Sequence, residues 1–477
     1  MVQSKLEVEK YSTDFVPHSE RFGKARSLFS LWFATNMNVL TVATGAIPVA
    51  LGLPVLWAVA AAVLGHAVGA VFMALHSAQG PILGIPQMIQ SRAQFGYLGS
   101  ILPLVLVVIM YIGYFAVGGV LTGNALAEWL GWDVNISIAV ANALATIVTI
   151  YGYRMIRASV TVVSWVTGLA FVFLTVGLFT RNDIAGSLPQ GQFTWGLFFL
   201  AVTLAATWQL TYAPYVADYS RYLPANTSVR ASFWWTYAGS AVSSTWMFAF
   251  GAIATAVAAD AFAGGSVSFI AAQAGFAPWL FLAVILLGNI VILGVDLYGG
   301  FMSIVTITGA LKASTGVRPV TRVLTVLGIS AVGTVLAIAG RGDFLNTLMN
   351  FIVLLAVFLV PWTSINLIDF YLVRKENYDI PAIYDPAGRY RGIDWRAMTA
   401  YAVAVAAEVP FLVTPMFTGP FAEYLDGVDV SWLIGLAVSA VLFYVLMKKY
   451  PRRHGFLPTP EADSINPEQA SQQLAAR

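Results

Sequence analysis

Apolar stretches, each long enough to cross a bilayer as a helix of about 20 residues, recur along the whole chain. They are separated by short polar loops and begin near residues 28, 51, 101, 136, 158, 195, 232, 277, 320, 344, 397 and 430. Few amphipathic segments stand between them. The pattern predicts an all-α integral membrane protein of about twelve spans.

The basic residues test this count, because cytoplasmic loops of membrane proteins are enriched in lysine and arginine. If the N-terminus is cytoplasmic, all of the 25 lysines and arginines except Arg181 and Arg341 fall on the cytoplasmic side. One missed span would invert every later loop. We therefore expect a multi-pass protein of the cell inner membrane with both termini in the cytoplasm.

Composition excludes several other classes of protein. With 58% hydrophobic and 10% charged residues, the chain has too little charge to cover a soluble surface. The net charge of +2 reflects the loop bias, so no nucleic-acid partner is expected. The chain has no cysteine, and of its four histidines only His66 is deep in a span, so neither a metal site nor a cofactor is predicted. The expected partners are lipid and a small solute; the oligomeric state stays open, and a monomer is compatible with the sequence.

The loops and breaks divide the chain into two similar halves and some additions. The predicted parts are an N-terminal cytoplasmic tail, two five-helix repeats, a cytoplasmic loop, two peripheral helices and a C-terminal cytoplasmic tail, at residues 1–27, 28–190, 191–372, 373–396, 397–450 and 451–477. Both tails are polar and aperiodic, so we expect neither to be needed for the fold.

Two spans carry residues that interrupt helices. Span 1 is expected to break at 44–48, around Gly45 and Pro48, and span 6 at 212–215, around Pro214. Breaks inside a membrane are tolerated where they are buried or line a wet cavity. Since the ordinals differ by five, the pair predicts an inverted repeat of five plus five helices with the solute between the breaks. The alternative is that glycine and proline are simply common in membrane helices.

Polar and aromatic side chains within the spans are the candidates for binding a solute: Asn36, Asn38, Tyr111, Tyr114, Trp208, Gln209, Tyr212, Asn289 and Asp296. A planar heterocycle needs an aromatic face on which to stack and an amide or carboxylate to read its edge. Trp208 beside Gln209 offers both. Alternatively, these aromatic side chains only pack or belong to the interfacial belt.

Asp296 is the most unusual of these residues, because a carboxylate within a membrane helix is costly unless it is protonated, paired or wet. It is a candidate to bind and release a proton together with the solute. The alternative is a structural acid that pairs with an arginine or caps a helix. Glu408, in a peripheral span, is expected to be paired structurally.

Two stretches between the spans are more specific. Residues 80–96, GPILGIPQMIQSRAQFG, resemble the loop after span 2 in the nucleobase-cation-symport-1 family, and residues 217–224, ADYSRYLP, resemble that family's signature after span 6. With the segments Leu31-Trp32-Phe33 and Asn36-Met37, the similarity covers most of residues 28–310.

The resemblance implies a leucine-transporter-like fold of five plus five inverted helices with two extra helices. It also implies uptake of nucleobases, hydantoins, allantoin or related rings, driven by Na⁺ or H⁺. In the family the ring lies between an aromatic residue of span 3 and residues of span 6, with polar groups from spans 1 and 8. This carries over to Tyr114, to Trp208 with Gln209, and to Asn36.

The sequence departs from the family in two places. Gly118 stands where relatives often have an amide, and Asp296 stands before Tyr298 where relatives often have an asparagine-rich run. Sodium-coupled members supply hydroxyl ligands from span 8, but the equivalent positions here, Val291 and Ile292, are apolar.

These departures favour proton coupling over sodium coupling. The sequence thus predicts a symporter that imports a planar nitrogen heterocycle, such as a purine or cytosine, by alternating access. Sodium-coupled symport of hydantoin, allantoin or another ring such as a vitamin is the alternative. Two more distant alternatives are an intramembrane enzyme that uses Asp296 and Glu408 and a sensor that binds a ring without transporting it. No nucleophile or metal site accompanies the two acids, and the sequence has no output domain for a sensor.

Overall fold

The computed structural model describes residues 13–151, 153–188, 190–259, 267–312 and 319–450. Regular structure in these ranges is helical, apart from one isolated bridge between Val413 and Thr418. The longer α-helices are α1 Ser27–Thr35, α2 Val39–Ala50, α3 Val55–Leu83, α4 Gln87–Phe95, α5 Ile101–Leu130, α6 Val134–Tyr151, α7 Tyr153–Arg181, α8 Trp195–Leu210, α9 Val229–Val257, α10 Pro278–Lys312, α11 Pro319–Gly340, α12 Phe344–Leu367, α13 Trp395–Glu408 and α14 Ser431–Lys449.

Shorter elements join them. The short α-helices are Ile184–Ser187, Val216–Ser220, Val267–Ala272, Ile380–Tyr384 and Pro420–Tyr424, and a π-helix, Ile368–Val373, extends α12. Three short 3-10 helices lie at His18–Glu20, Arg341–Asp343 and Val409–Phe411.

A helix begins within a few residues of every predicted span start. By length and composition, six helical stretches of the described chain could cross a membrane, or seven if α1 and α2, bent by 60°, form one span. The prediction of an all-α membrane protein is confirmed. The count of twelve spans stays a prediction.

Small residues allow the central helices to approach closely. Gly65 and Gly69 lie one turn apart on α3 and face Val202 and Ala206 of α8, where a Cβ on either glycine would meet the α8 backbone. This small-xxx-small pattern is typical of membrane helix pairs, which associate by packing rather than by a hydrophobic driving force. Helix α3 also packs on α9, and α10 packs on α5, so the two predicted halves interlock.

The predicted break of span 1 at Gly45 and Pro48 is wrong. Helix α2 runs without interruption through both residues, and the break lies earlier, between Thr35 and Val39. Asn38 is extended there, and its side-chain oxygen accepts from the backbone N–H of Thr41, so it caps α2. Gly45 instead serves close packing, because a Cβ there would collide with the backbone of Phe248 on α9.

Span 6 is interrupted where its sequence suggests. Helix α8 ends at Leu210, residues 211–215 form turns, and a short helix follows at Val216–Ser220. Pro214 therefore lies inside the non-helical segment.

The loops that the charge pattern assigns to one side contact one another. At the end that carries most arginines, hereafter the basic end, hydrogen bonds join Arg21 to the carbonyl of Pro81, the Gln87 N–H to Asp218, and Arg92 to the carbonyl of Ile383. At the opposite end, Arg341 donates to Asn135 over 2.7 Å. The contacts agree with the predicted alternation of the loops. That the basic end faces the cytoplasm stays a prediction.

Part of the N-terminal tail is fastened to the fold, which the sequence did not predict. The N–H of Val16 donates to the carbonyl of Gly84 over 2.9 Å, and the Tyr384 hydroxyl donates to the carbonyl of Thr13 over 3.0 Å. Residues 1–12 and 451–477 lie outside the described residues, and the boundaries of the two repeats stay predictions.

A buried ion pair closes the junction between α12 and the loop at 373–396. The Asp369 carboxylate accepts from Arg374 over 2.7 Å and from the Tyr378 hydroxyl over 2.8 Å, and Gln94 of α4 donates to it over 3.1 Å. The Arg374 side chain is only 4% exposed and also donates to the carbonyl of Ala93. The cluster attaches α4 to the end of α12.

The expected structural pairing of Glu408 is wrong. Its carboxyl group is buried at the end of α13, and neither oxygen has a hydrogen-bond partner among the residues that the structure describes. The carboxyl lies directly against Gly435 of α14, where any side chain would overlap it. The absence of a side chain at 435 makes room for the Glu408 carboxyl group between α13 and α14.

Candidate solute-binding site

A cavity of about 690 Å³ lies between the two helix breaks and helices α5 and α10. This volume is in the range of sites for small organic ligands. The lining reaches Phe22 and Tyr219, which are 60% and 42% exposed at the basic end. The cavity therefore opens towards that end of the bundle.

A group of aromatic side chains forms the part of the cavity wall next to the two helix breaks, hereafter the aromatic wall. The rings of Tyr114 and Trp208 lie 6.1 Å apart at an interplanar angle of 78°, and Trp208 and Tyr212 lie 6.2 Å apart at 86°. Tyr111 contacts Tyr215 over 5.8 Å. Edge-to-face contacts of this kind are a favourable arrangement of aromatic rings, so they hold these side chains in position at the cavity.

Asn36 lies behind this wall and holds it in place. Its side-chain oxygen accepts from the Trp208 indole N–H over 2.8 Å and from the Tyr212 hydroxyl over 2.7 Å. Its amide nitrogen donates to the carbonyl of Trp32 and to Ser243, both over 3.0 Å. Asn36 is fully buried and does not line the cavity, so it orients the aromatic residues rather than facing the solute itself.

Gln209 points away from the cavity, so the prediction that Gln209 reads the edge of a ring stacked on Trp208 is wrong. Its amide group donates to Ser244 over 2.9 Å, contacts His66 over 3.2 Å and accepts from Ser240 over 2.6 Å. Successive residues on a helix differ by about 100° in direction. Because Trp208 faces the cavity, Gln209 faces α3 and α9.

Polar groups do reach the cavity from spans 1, 3, 6 and 8. Asn38 lines it at the span 1 break, and the Tyr114 hydroxyl donates to Thr211 over 2.9 Å, which in turn donates to the carbonyl of Trp208. Asp296 lines the cavity from the middle of α10, and its carboxylate has no hydrogen-bond or ionic partner among the described residues. The alternative of an Asp296 paired with arginine is therefore not observed.

Of the nine candidate residues, six line the large cavity: Asn38, Tyr111, Tyr114, Trp208, Tyr212 and Asp296. Asn36 and Gln209 lie behind its wall. Asn289 lines only a second, small cavity next to Asp296.

Three residues of the wall, Trp32, Thr211 and Tyr215, are not among the nine candidates, although Thr211 is a polar residue next to the predicted span 6 break. Trp32 packs on Tyr212 and Tyr215 over 5.5 and 6.3 Å, and Thr211 receives the Tyr114 hydroxyl. Trp32 is one helical turn before Asn36, and Thr211 and Tyr215 flank Pro214. Placing the span 1 break at 36–38, where the structure has it, would have brought Trp32 into consideration.

Charged groups lie at the mouth of the cavity. Arg221 donates to the backbone carbonyl of Asp14 over 2.9 Å, and its guanidinium stacks on the ring of Tyr222. Burial raises the pKa of the Asp14 carboxyl, and the positive charge of Arg221 partly offsets this effect. The mouth thus carries charge while the inner wall is aromatic.

Solved structures of transporters share this fold. An inward-facing structure of Mhp1 matches with a TM-score of 0.75 and 17% identity, covering 98% of this chain and 99% of Mhp1. A closed structure of Mhp1, a nucleobase-cation-symport-1 family transporter with bromovinylhydantoin bound, matches with a TM-score of 0.74 and 19% identity over 96% and 98% of the two chains. These matches show that the chain has a leucine-transporter-like fold.

Sequence comparison identifies the family. Residues 15–435 match the family described as permease for cytosine/purines, uracil, thiamine, allantoin. A putative purine-cytosine permease of Bacillus subtilis (strain 168), YxlA, is 43% identical over 94% of this chain and 98% of its own length. The chain belongs to the nucleobase-cation-symport-1 family. It is a multi-pass membrane transporter and not an enzyme, as the resemblance of residues 80–96 and 217–224 implied.

Proposed function

We propose that the protein is a secondary active symporter that imports a small planar nitrogen heterocycle, such as a purine or cytosine, by alternating access. The observation that carries the proposal is the aromatic cavity with the unpaired carboxylate of Asp296 at its inner end. The family description and the name of the Bacillus relative support this class of solute.

In this proposal the ring stacks within the aromatic wall. Trp208, Tyr114 and Tyr212 present their faces or edges to the ring, and each such aromatic pair contributes about 0.5–1.5 kcal/mol. Asn38 and Asp296 then read the polar edge of the ring, as in most small-molecule sites, where a few polar groups fix orientation in an apolar pocket.

Proton coupling through Asp296 is the second part of the proposal. An ionised carboxylate at this depth is costly without a partner, so binding a proton together with the solute removes an unfavourable charge. The sodium alternative has weaker support. The α10 residues on the neighbouring wall, Val291 and Ile292, offer no side-chain oxygen, and Thr167 of α7 supplies a single hydroxyl near Gly288.

The charge pattern suggests the orientation. If the basic end faces the cytoplasm, both chain ends are cytoplasmic, the membrane is the cell inner membrane, and the cavity is open inward. The conformation would then be the one that releases the solute.

Uptake into proteoliposomes tests the proposal. A panel of radiolabelled rings, comprising purines, cytosine, uracil, allantoin, hydantoin and thiamine, is offered with an inward proton gradient, an inward sodium gradient or neither. We expect accumulation of at least one purine or pyrimidine with the proton gradient. Accumulation driven by sodium alone would support the alternative coupling, and no accumulation of any ring would refute the proposal.

Asp296→Asn tests the coupling role. We expect loss of concentrative uptake with counterflow exchange of the ring retained, because the amide keeps the shape of the site and cannot release a proton. Glu408→Gln is the matched control, since it neutralises the other buried acid outside the cavity, and it should transport like the parent protein. If Asp296→Asn accumulates the ring normally while Glu408→Gln does not, the coupling group is Glu408.

A further inference from the structure

A second cavity, of about 20 Å³, lies on the far side of Tyr114 and Asn38 from the opening. Its polar lining comes from Asn38, Tyr114, Asn289 and Asp296, and its apolar lining includes Gly118 and Leu121. A cavity needs roughly 10–15 Å³ to hold one water molecule, and the water needs two to four polar partners. This cavity meets both conditions.

The small cavity leads from Asp296 towards the opposite end of the bundle. Asp296 lines both cavities, whereas Asn289 and Leu121 line only the small one. Asn289 precedes Asp296 by seven residues on α10, which is about 10 Å along the helix axis. Helix α10 begins at Pro278 and ends at Lys312, so Asn289 lies on the side away from the basic end.

Two of the polar groups have unused hydrogen-bonding capacity. The Asn289 side chain is 8% exposed, and no hydrogen bond joins it to another described residue. Within the same described part of the chain, the Asp296 carboxylate has no partner either. By contrast, Asn38 already bonds to Thr41 and to the carbonyl of Thr35, and Tyr114 donates to Thr211. A buried amide without a partner is costly, and a bridging water would satisfy both unpartnered groups.

We propose that the small cavity is a water site that carries protons between Asp296 and the opposite end of the bundle, and that Asn289 positions this water. When the Asp296 carboxylate is protonated, the water accepts a proton that arrives from the opposite end and passes one of its own protons to the Asp296 oxygen. One O–H bond of the water breaks as the O–H bond of the carboxyl group forms, so the water is left neutral. The proposal rests on the proton coupling proposed above and adds a route that is separate from the solute's own path.

Asn289→Leu tests the water site, because leucine has a similar volume and no polar atom. We expect proton-driven uptake at neutral external pH to fall by about tenfold or more, since a positioned proton-transfer group contributes about 10²–10⁴-fold. Lowering the external pH should restore the rate, because slow proton delivery is overcome by a higher proton concentration. Counterflow exchange should persist, since Asn289 is outside the solute cavity. Asn289→Ser, which keeps a hydroxyl, should retain most of the rate.

Leu121→Ile is the matched control, because it alters the same cavity without changing its polar groups, and it should keep the parent pH profile. An Asn289→Leu protein with an unchanged pH profile would overturn the proposal, as would one that loses counterflow and uptake together. If sodium instead restores the rate of Asn289→Leu, the cavity is a cation site and the water proposal fails. Persistent accumulation by Asp296→Asn would defeat proton coupling itself, so the two failures are distinguishable.

Discussion

Removing the Asn36 side chain should loosen the aromatic wall without touching the cavity surface. Asn36→Leu keeps the approximate volume and deletes the oxygen that accepts from both Trp208 and Tyr212, at 2.8 and 2.7 Å. Side-chain hydrogen bonds between membrane helices average about 0.6 kcal/mol and reach about 1.7 kcal/mol, so the two bonds together are worth roughly 1–3 kcal/mol. This loss should divide between the stability of the fold and the affinity for the ring.

The assay measures both quantities on the purified protein. We expect a lower midpoint of thermal unfolding, followed by fluorescence-detected size exclusion, and a ring affinity that is weaker by about three- to tenfold, where tenfold corresponds to 1.4 kcal/mol. Tyr212→Phe removes one donor and keeps the ring. In a double-mutant cycle, Asn36→Leu and Tyr212→Phe should be non-additive, because both delete the same hydrogen bond.

Strict additivity in this cycle would refute the coupling between Asn36 and Tyr212. Unchanged affinity in Asn36→Leu would show that the wall does not depend on the hydrogen bonds behind it, even though the side chain is fully buried.

Three further substitutions test other parts of the structure. Trp208→Ala should weaken ring binding by about 0.5–1.5 kcal/mol or more, and Trp208→Phe should bind the ring nearly as well as the parent protein. If Trp208→Ala and Trp208→Phe bind the ring equally well, Trp208 only packs within the protein and does not contact the ring. Asn38→Ala should lower the unfolding midpoint by removing a cap worth about 1 kcal/mol, while Asn38→Ser keeps a neutral capping oxygen and should melt near the parent. Arg374→Met leaves the Asp369 carboxylate buried and unpaired, so it should destabilise the protein by about 3–5 kcal/mol, and adding Asp369→Asn should recover part of this loss. A melting curve of Arg374→Met that matches the parent would contradict the structural role of the ion pair.

The sequence was sufficient for the fold class because each span is long and apolar and because charge marks the loops. The location of the span 1 break was not predictable by the same rule. Gly45 and Pro48 are helix breakers by propensity, yet tertiary packing against Phe248 uses Gly45 inside a continuous helix. The actual signal was Asn38 with Thr41, a helix N-cap, which is local and independent of packing.

The site residues divide in a similar way. Residue type was enough to select Trp208, Tyr114 and Asp296, which line the cavity. The direction in which each side chain points around its helix could not be predicted, because the sequence does not say which face of α8 meets the solute. One fixed residue decides it: with Trp208 facing inward, Gln209 must face α3 and α9. The lack of a hydrogen-bond partner for Glu408 among the described residues could not be foreseen either, since it depends on which residue of α14 faces the carboxyl group, and that residue is Gly435.

The N-terminal segment at 13–26 offers a way to follow the transporter at work. Hydrogen bonds join it to the Pro81 and Gly84 carbonyls and to the Tyr384 hydroxyl. Phe22, within this segment, lies on the rim of the cavity. Since the chain contains no cysteine, Phe22→Cys would create a unique attachment point for a fluorophore or spin label. Closure of the basic end must change the surroundings of that label, so occupancy of the open state could be read in real time without modifying a residue of the inner aromatic wall.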